Sequence, residues 1–146
     1  MRCALQRHNL RGVMKVSTAV VIDSDPRSVR LLDAALRRWR FAVVSTDRAS
    51  GVTDLIALYR PALVLLDTAM PGLSGTDIVR FIRRSPELAA TLVLFHSQLD
   101  EDVLAEKARA SGANGFVVKP QSLLGLDERL RSWIPSPTHR DRPSSV

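Results

Sequence analysis

Residues 63–75 read LVLLDTAMPGLSG. Four apolar residues carry one carboxylate, Asp67, to the end of a short run; Met70-Pro71-Gly72 then turns the chain before Gly75 opens a helical pattern. A continuous apolar run bounded by turn residues predicts a strand buried on both faces, here residues 62–66, as in a parallel sheet covered by helices. An acid where such a strand gives way to a loop is exposed enough to react and held firmly enough to be aimed. Taken alone, Asp67 reads as a loop or helix cap. The company the chain brings to it decides.

The same alternation repeats on either side. Residues 18–22 form an apolar, β-branched strand ending in Asp23-Ser24-Asp25-Pro26, and Val29, Leu32, Leu36 and Trp39 recur at helical spacing. A second strand over 41–45 precedes a helical face of Val52, Leu55, Ile56 and Tyr59, and Ile78, Phe81 and Ile82 mark a third helix that stops near Ser85-Pro86. Residues 91–95 give a fourth strand, and the helix over 101–111 has a thin apolar face of Leu104 and Ala108, with Gly112 placed to cap it. Residues 115–118 give a fifth strand ending at Lys119-Pro120, and Leu123, Leu126, Leu130 and Trp133 form a last helical face closed by Pro135. Five strands alternating with five helices predict an α/β domain on a parallel sheet. In such a sheet the site forms beyond the carboxyl ends of the strands, where strand order reverses. Asp23, Asp67, Ser97 and Lys119 are the polar residues that converge there.

Composition narrows the class. At 146 residues, 45% hydrophobic and 25% charged, the chain is the size of one domain with a real core, and no apolar run is long enough to cross a bilayer. A net charge of +6 raises nucleic-acid binding, but four cations lie in residues 1–17 and a net single charge in residues 135–146, which leaves +1 for residues 18–134. Arginines 37, 38, 40 and 80, 83, 84 gather near helix ends, where cations favour the dipole. The reading is a basic, disordered leader over 1–17, a globular domain over 18–134 and a disordered Pro/Ser/Arg tail over 135–146. Met14-Lys15 directly precedes the first strand, so Met14 competes with Met1 as the start. The single cysteine, Cys3, and the lack of a secretory pattern in the leader fit a reducing cytoplasm.

With IDSDP after strand one, DTAMPGLSG after strand three, Ser97 after strand four and FVVKP through strand five, residues 18–134 resemble the receiver domain of two-component response regulators. The resemblance implies a five-stranded sheet in order 2-1-3-4-5 with helices on both faces, the flavodoxin-like arrangement. It makes Asp67 the phosphoacceptor, attacking a phosphohistidine on a sensor histidine kinase or phosphotransfer protein. A carboxylate is already ionised at neutral pH and needs no base; its difficulty is that an anion must meet an anionic phosphoryl group. The resemblance answers with Lys119 and Ser97 on the phosphoryl oxygens, with Mg²⁺ held by Asp23 and Asp67, with a cis Lys119-Pro120 peptide, and with Ser97 and Phe116 as a switch pair. Phe116 reads equally as a core aromatic.

The sequence departs from that pattern at several positions. Ser24 stands where the second acid is usual, a poor ligand for a hard dication, so Mg²⁺ binding is expected to be weak unless Asp25 swings in. Gln98 is bulkier than the usual small residue, and Ala69 and Leu99 replace side chains that position hydrolytic water, which predicts slow dephosphorylation. His96 reads as a partly buried strand residue. The function expected is a single-domain response regulator, not an enzyme in the ordinary sense, that signals to a downstream protein through a surface of the fourth helix, fifth strand and fifth helix. A homodimer through the weakly apolar fourth helix stays open. The alternative is a pseudo-receiver, a binding or dimerisation module that is not phosphorylated; no membrane role is expected, and nucleic acid is the weakest partner.

Overall fold

A computed structural model describes residues 16–119 and 122–134. Five strands, β1 (Ser17–Ile22), β2 (Phe41–Thr46), β3 (Leu63–Leu66), β4 (Leu92–Ser97) and β5 (Gly115–Val118), form one parallel sheet in the order β2-β1-β3-β4-β5. The helices between and after them are α1 (Pro26–Arg38), α2 (Val52–Tyr59), α3 (Gly75–Arg84), α4 (Glu101–Ser111) and α5 (Leu123–Leu130). The fold class is as the sequence predicts, and the strand order as the resemblance implies.

Alternate strand residues feed two cores. Val20, Ile22, Val64 and Leu66 pack with Val52 and Ile56 of α2, Val79 and Ile82 of α3 and Leu104 of α4. Ala19, Val21, Leu63 and Leu65 pack on the other face with Leu32 and Leu36 of α1 and Leu126 and Leu130 of α5. All four residues of β3 are buried, which is why its run is apolar throughout rather than alternating. Tyr59, expected on the inner face of α2, is 44% exposed, because the face the helix presents to the sheet is carried by Val52 and Ile56.

The caps follow local chemistry. Asp25 caps α1 by accepting from Arg27 N at 3.0 Å, with Pro26 in the first turn, where its missing N–H costs nothing. Ser74 caps α3, Ser122 caps α5, and Gly112 ends α4 at φ +88°, a conformation that favours glycine.

Two long-range ties were not visible in the sequence. Trp39 Nε1, after α1, donates to Asp127 of α5 at 2.8 Å, and both residues are buried. Arg83, expected only to complement the dipole of α3, instead donates to the carbonyls of Ala89, Thr91 and Gly112 and to Asn114 Oδ1 at 2.6 Å. Asn114 Oδ1 also accepts from Val93 N at 2.8 Å. This fork joins α3, β4 and the start of β5 at the amino end of the sheet.

Candidate functional site

The pairing of Ile22 with Leu66 sets the following residues, Asp23 and Asp67, side by side at the carboxyl ends of β1 and β3. Leu66 pairs with Phe95, which brings His96 level with Asp67 and puts Ser97 one residue further out; Val118 pairs with Ser97, and Lys119 follows. β4 therefore runs two residues beyond the predicted end, and Ser97 sits at its last position. Backbone bonds continue past the strand ends: Asp23 N to Thr46 O, Asp67 N to Ile22 O and Lys119 N to Ser97 O. All four converging residues are thus placed by the sheet.

Lys119 Nζ holds the two acids together. It lies 3.1 Å from Asp23 Oδ1, 3.0 Å from Asp23 Oδ2 and 3.2 Å from Asp67 Oδ2. The lysine side chain is 8% exposed and those of the acids 1% and 6%, so the charges meet largely out of water. The other Asp67 oxygen accepts from Ala69 N at 2.9 Å, which fixes the carboxylate plane. Burial alone would push the Asp23 carboxyl up; the His96 ring, the Asp25 N–H at 2.8 Å and Lys119 outweigh it and hold the pKa at about 2.

His96 is more deeply placed than the sequence suggests. It is 2% exposed, with Nδ1 3.6 Å from Asp23 Oδ2, and neither ring nitrogen has a hydrogen-bond partner among the described residues. Burial holds its pKa below the usual value, so at neutral pH the ring is uncharged. The signal for this lay in period-two alternation: His96 is two residues past the fully buried Leu94 on the same strand.

Of the remaining expected residues, Ser97 is buried and its Oγ accepts from Leu99 N at 3.2 Å, while Phe116 is half-buried against the α2–α4 core. Ser24, Gln98 and Ala69 are exposed. Asp25 is engaged in capping α1 through Arg27 N and, at 3.4 Å, Ser28 Oγ, so turning it inward would give up a cap worth about 1 kcal/mol. The Lys119-Pro120 peptide lies outside the described residues. No group of three or more His, Cys, Asp or Glu suited to a metal occurs among the described residues. Asp23 and Asp67 still offer a hard dication two carboxylates, and Asp23 Oδ2, which lies 3.0 Å from Lys119 Nζ but makes no hydrogen bond, keeps acceptor capacity that such an ion would use. The set fits a Mg²⁺ ion that keeps much of its water.

The model of the response regulator receiver domain matches residues 19–131. This chain belongs to the receiver-domain family. The transcriptional regulatory protein AfsQ1 of Streptomyces coelicolor is 29% identical over 115 residues, 79% of this chain and 50% of the relative. A response regulator protein from Burkholderia multivorans, solved in solution, is 26% identical with a TM-score of 0.65, covering 90% of this chain and all of that one. The chemotaxis response regulator CheY4 of Vibrio cholerae superposes with a TM-score of 0.72 over 82% of this chain and all of its own, at 18% identity, and attests the fold. The receiver spans about half the length of the curated regulators it matches first. Receivers of this family take part in two-component signalling with histidine kinases or phosphotransfer proteins, and they generally bind Mg²⁺ at the acidic site. No helix among the described residues is long and apolar enough to cross a membrane.

Proposed function

We propose that this receiver accepts a phosphoryl group on Asp67 from a phosphohistidine and signals through a changed protein surface built from α4, β5 and α5. The observation that carries the reading is Lys119 Nζ, bridging Asp23 and Asp67 at 3.0–3.2 Å. In the transfer an Asp67 carboxylate oxygen bonds to phosphorus as the P–N bond to the donor imidazole breaks, and the leaving nitrogen keeps the electron pair and takes a proton. Lys119 and the Ser97 hydroxyl provide charge and a donor for the phosphoryl oxygens. Asp23 and Asp67 would hold the Mg²⁺ ion, which when bound offsets phosphoryl charge; with Ser24 neutral, its affinity is low. As Ser97 turns to the phosphoryl group, Phe116 is the ring positioned on β5 to follow it. The pseudo-receiver reading draws no support from a site in which acid, lysine and hydroxyl are all present at adjoining strand ends.

Phosphoramidate with Mg²⁺, followed by intact mass, tests this. One added phosphoryl group in the wild type and none in Asp67→Ala is expected; addition to both, or to neither, would remove the reading. Because Ala69 and Leu99 offer hydrolytic water no side-chain hydrogen bond, the acyl phosphate is expected to outlast desalting, and its loss within seconds would refute slow turnover.

A further inference from the structure

We infer that Arg27 and Arg30 form a capture site for a phosphoryl dianion in the cleft that opens onto Lys119, one that works without a metal ion. A cleft of about 800 Å³ is lined by Arg27, Ser28 and Arg30 of α1 and by Gln98 and Lys119, the lysine that bridges Asp23 and Asp67. Both arginines are exposed, and neither side chain has a hydrogen bond or ion pair among the described residues. The one acid of the lining, Asp25, is engaged in capping α1. Arg30 also borders the adjoining cleft of about 530 Å³ that holds Asp23, Ser24, Asp47 and Arg48, so it stands on the ridge between the two approaches to the site.

The position of Arg27 on the helix argues against a structural role. The first turn of α1 holds no acidic residue, and Arg27 stands in it, where the helix macrodipole disfavours a cation. Three other helices place acids in the first turn, Asp54 in α2, Asp77 in α3 and Glu101 with Asp102 in α4, and α1 itself carries Arg37 and Arg38 in its last. A local rule broken with no compensating contact points to a ligand. Guanidinium matches a phosphate group with paired N–H donors and keeps its charge at any working pH. Lys119 cannot do this work at rest, since its ammonium is shared between Asp23 and Asp67. Among the described residues that line this cleft, the cations left to meet an incoming dianion are the two arginines.

This inference deepens the phosphoacceptor reading, and it rests on that reading only for the use made of the captured ion, not for its binding. The test is therefore made in Asp67→Asn protein with a chelator present and at low salt. Inorganic phosphate is titrated while the arginine side-chain N–H signals are followed by NMR. Saturable shifts at Arg27 and Arg30 are expected, and R27Q/R30Q should weaken binding by about tenfold or more. Since both residues are exposed, the variant should keep the fold, which the amide spectrum checks. Equal affinity in the variant, or no saturation in the parent, would overturn the site. Two further arms distinguish the source of the dianion in wild-type protein. A slower reaction with phosphoramidate in R27Q/R30Q assigns capture of small donors, and slower transfer from a phosphohistidine-bearing phosphotransfer protein assigns a protein-borne group. If phosphate binds but wild-type Asp67 never takes up phosphoryl, capture stands and the phosphoacceptor reading falls.

Discussion

Replacing Lys119 by methionine keeps the stem of the side chain and removes the ammonium. Asp23 and Asp67, 1% and 6% exposed in their side chains, would then face each other without their shared counter-ion. Breaking a buried ion pair by removing one partner costs about 3–5 kcal/mol. The acids can relieve part of this by taking up a proton, so about 2–3 kcal/mol of lost stability is expected near neutral pH. The sign follows from linkage. In the variant the pair has a folded pKa raised above its unfolded value, so its stability is greatest in acid and falls as pH rises through the raised value. The penalty relative to wild type should therefore be larger at about pH 7.5 than at about pH 5.5. Mg²⁺ should reverse it in part, because the ion no longer competes with the ammonium; about 10 mM against a dissociation constant of about 1 mM is worth about 1.4 kcal/mol. Urea unfolding followed by tryptophan fluorescence, at both pH values with chelator or Mg²⁺, reads all three effects. A variant as stable as wild type at neutral pH, with a penalty independent of pH and no added response to Mg²⁺, would refute the view of Lys119 as the pocket's internal counter-ion.

Three further outcomes follow from contacts elsewhere. Asp127→Ala leaves Trp39 Nε1–H buried without its 2.8 Å acceptor and should cost about 1–3 kcal/mol in urea unfolding, with Asp127→Asn, which keeps an acceptor, costing less. Arg83→Lys keeps the charge but not the fork to Ala89, Thr91, Gly112 and Asn114; a loss of about 1–3 kcal/mol, with faster hydrogen exchange at Val93, is expected. Because Asp23 is held at about 2 in the fold, its contribution, on the order of 2 kcal/mol, is complete above the unfolded value of 3.8 and is lost as pH falls toward 2. His96, lowered by burial, instead withdraws stability as pH falls below its unfolded value of 6.5. His96→Phe should flatten the stability profile just below about pH 6.5 and, by removing one of the groups that lower Asp23, lessen the loss at more acid pH.

The sheet was legible in the sequence because buried parallel strands leave an unbroken apolar run followed by a turn, as residues 63–75 do most clearly. The end of β4 was not, since His96 and Ser97 are polar and strand runs are recognised by their apolar residues; only tertiary burial keeps those two in the ladder. That polar residues at the strand ends converge was readable from order and spacing, and the register brings Asp23, Asp67 and Lys119 within ion-pair distance. What these side chains do in the resting fold depends on distances that spacing does not encode. Asp25 reads as a spare ligand in the sequence and is a helix cap in the fold. The bond between Trp39 and Asp127 joins residues 88 positions apart, and nothing local to either marks it. Arg83 shares its run with Arg80 and Arg84, so its composition is that of an ordinary helix end, whereas its bonds are to carbonyls brought near only by the packing of α3 on β4.

The Arg83 fork also has a bearing on how movement could spread. It ties α3, β4 and the start of β5 at the sheet end opposite Asp67, and Asn114 supplies Val93 with the bond a neighbouring strand would otherwise give. A lever held at one end swings at the other. With its base fastened, a displacement begun at Ser97 is expected to be smallest near Asn114 and largest in the segment after β4 and the first turn of α4. The tie at Asn114 and the free end of β4 at Ser97 stand at opposite ends of the same strand.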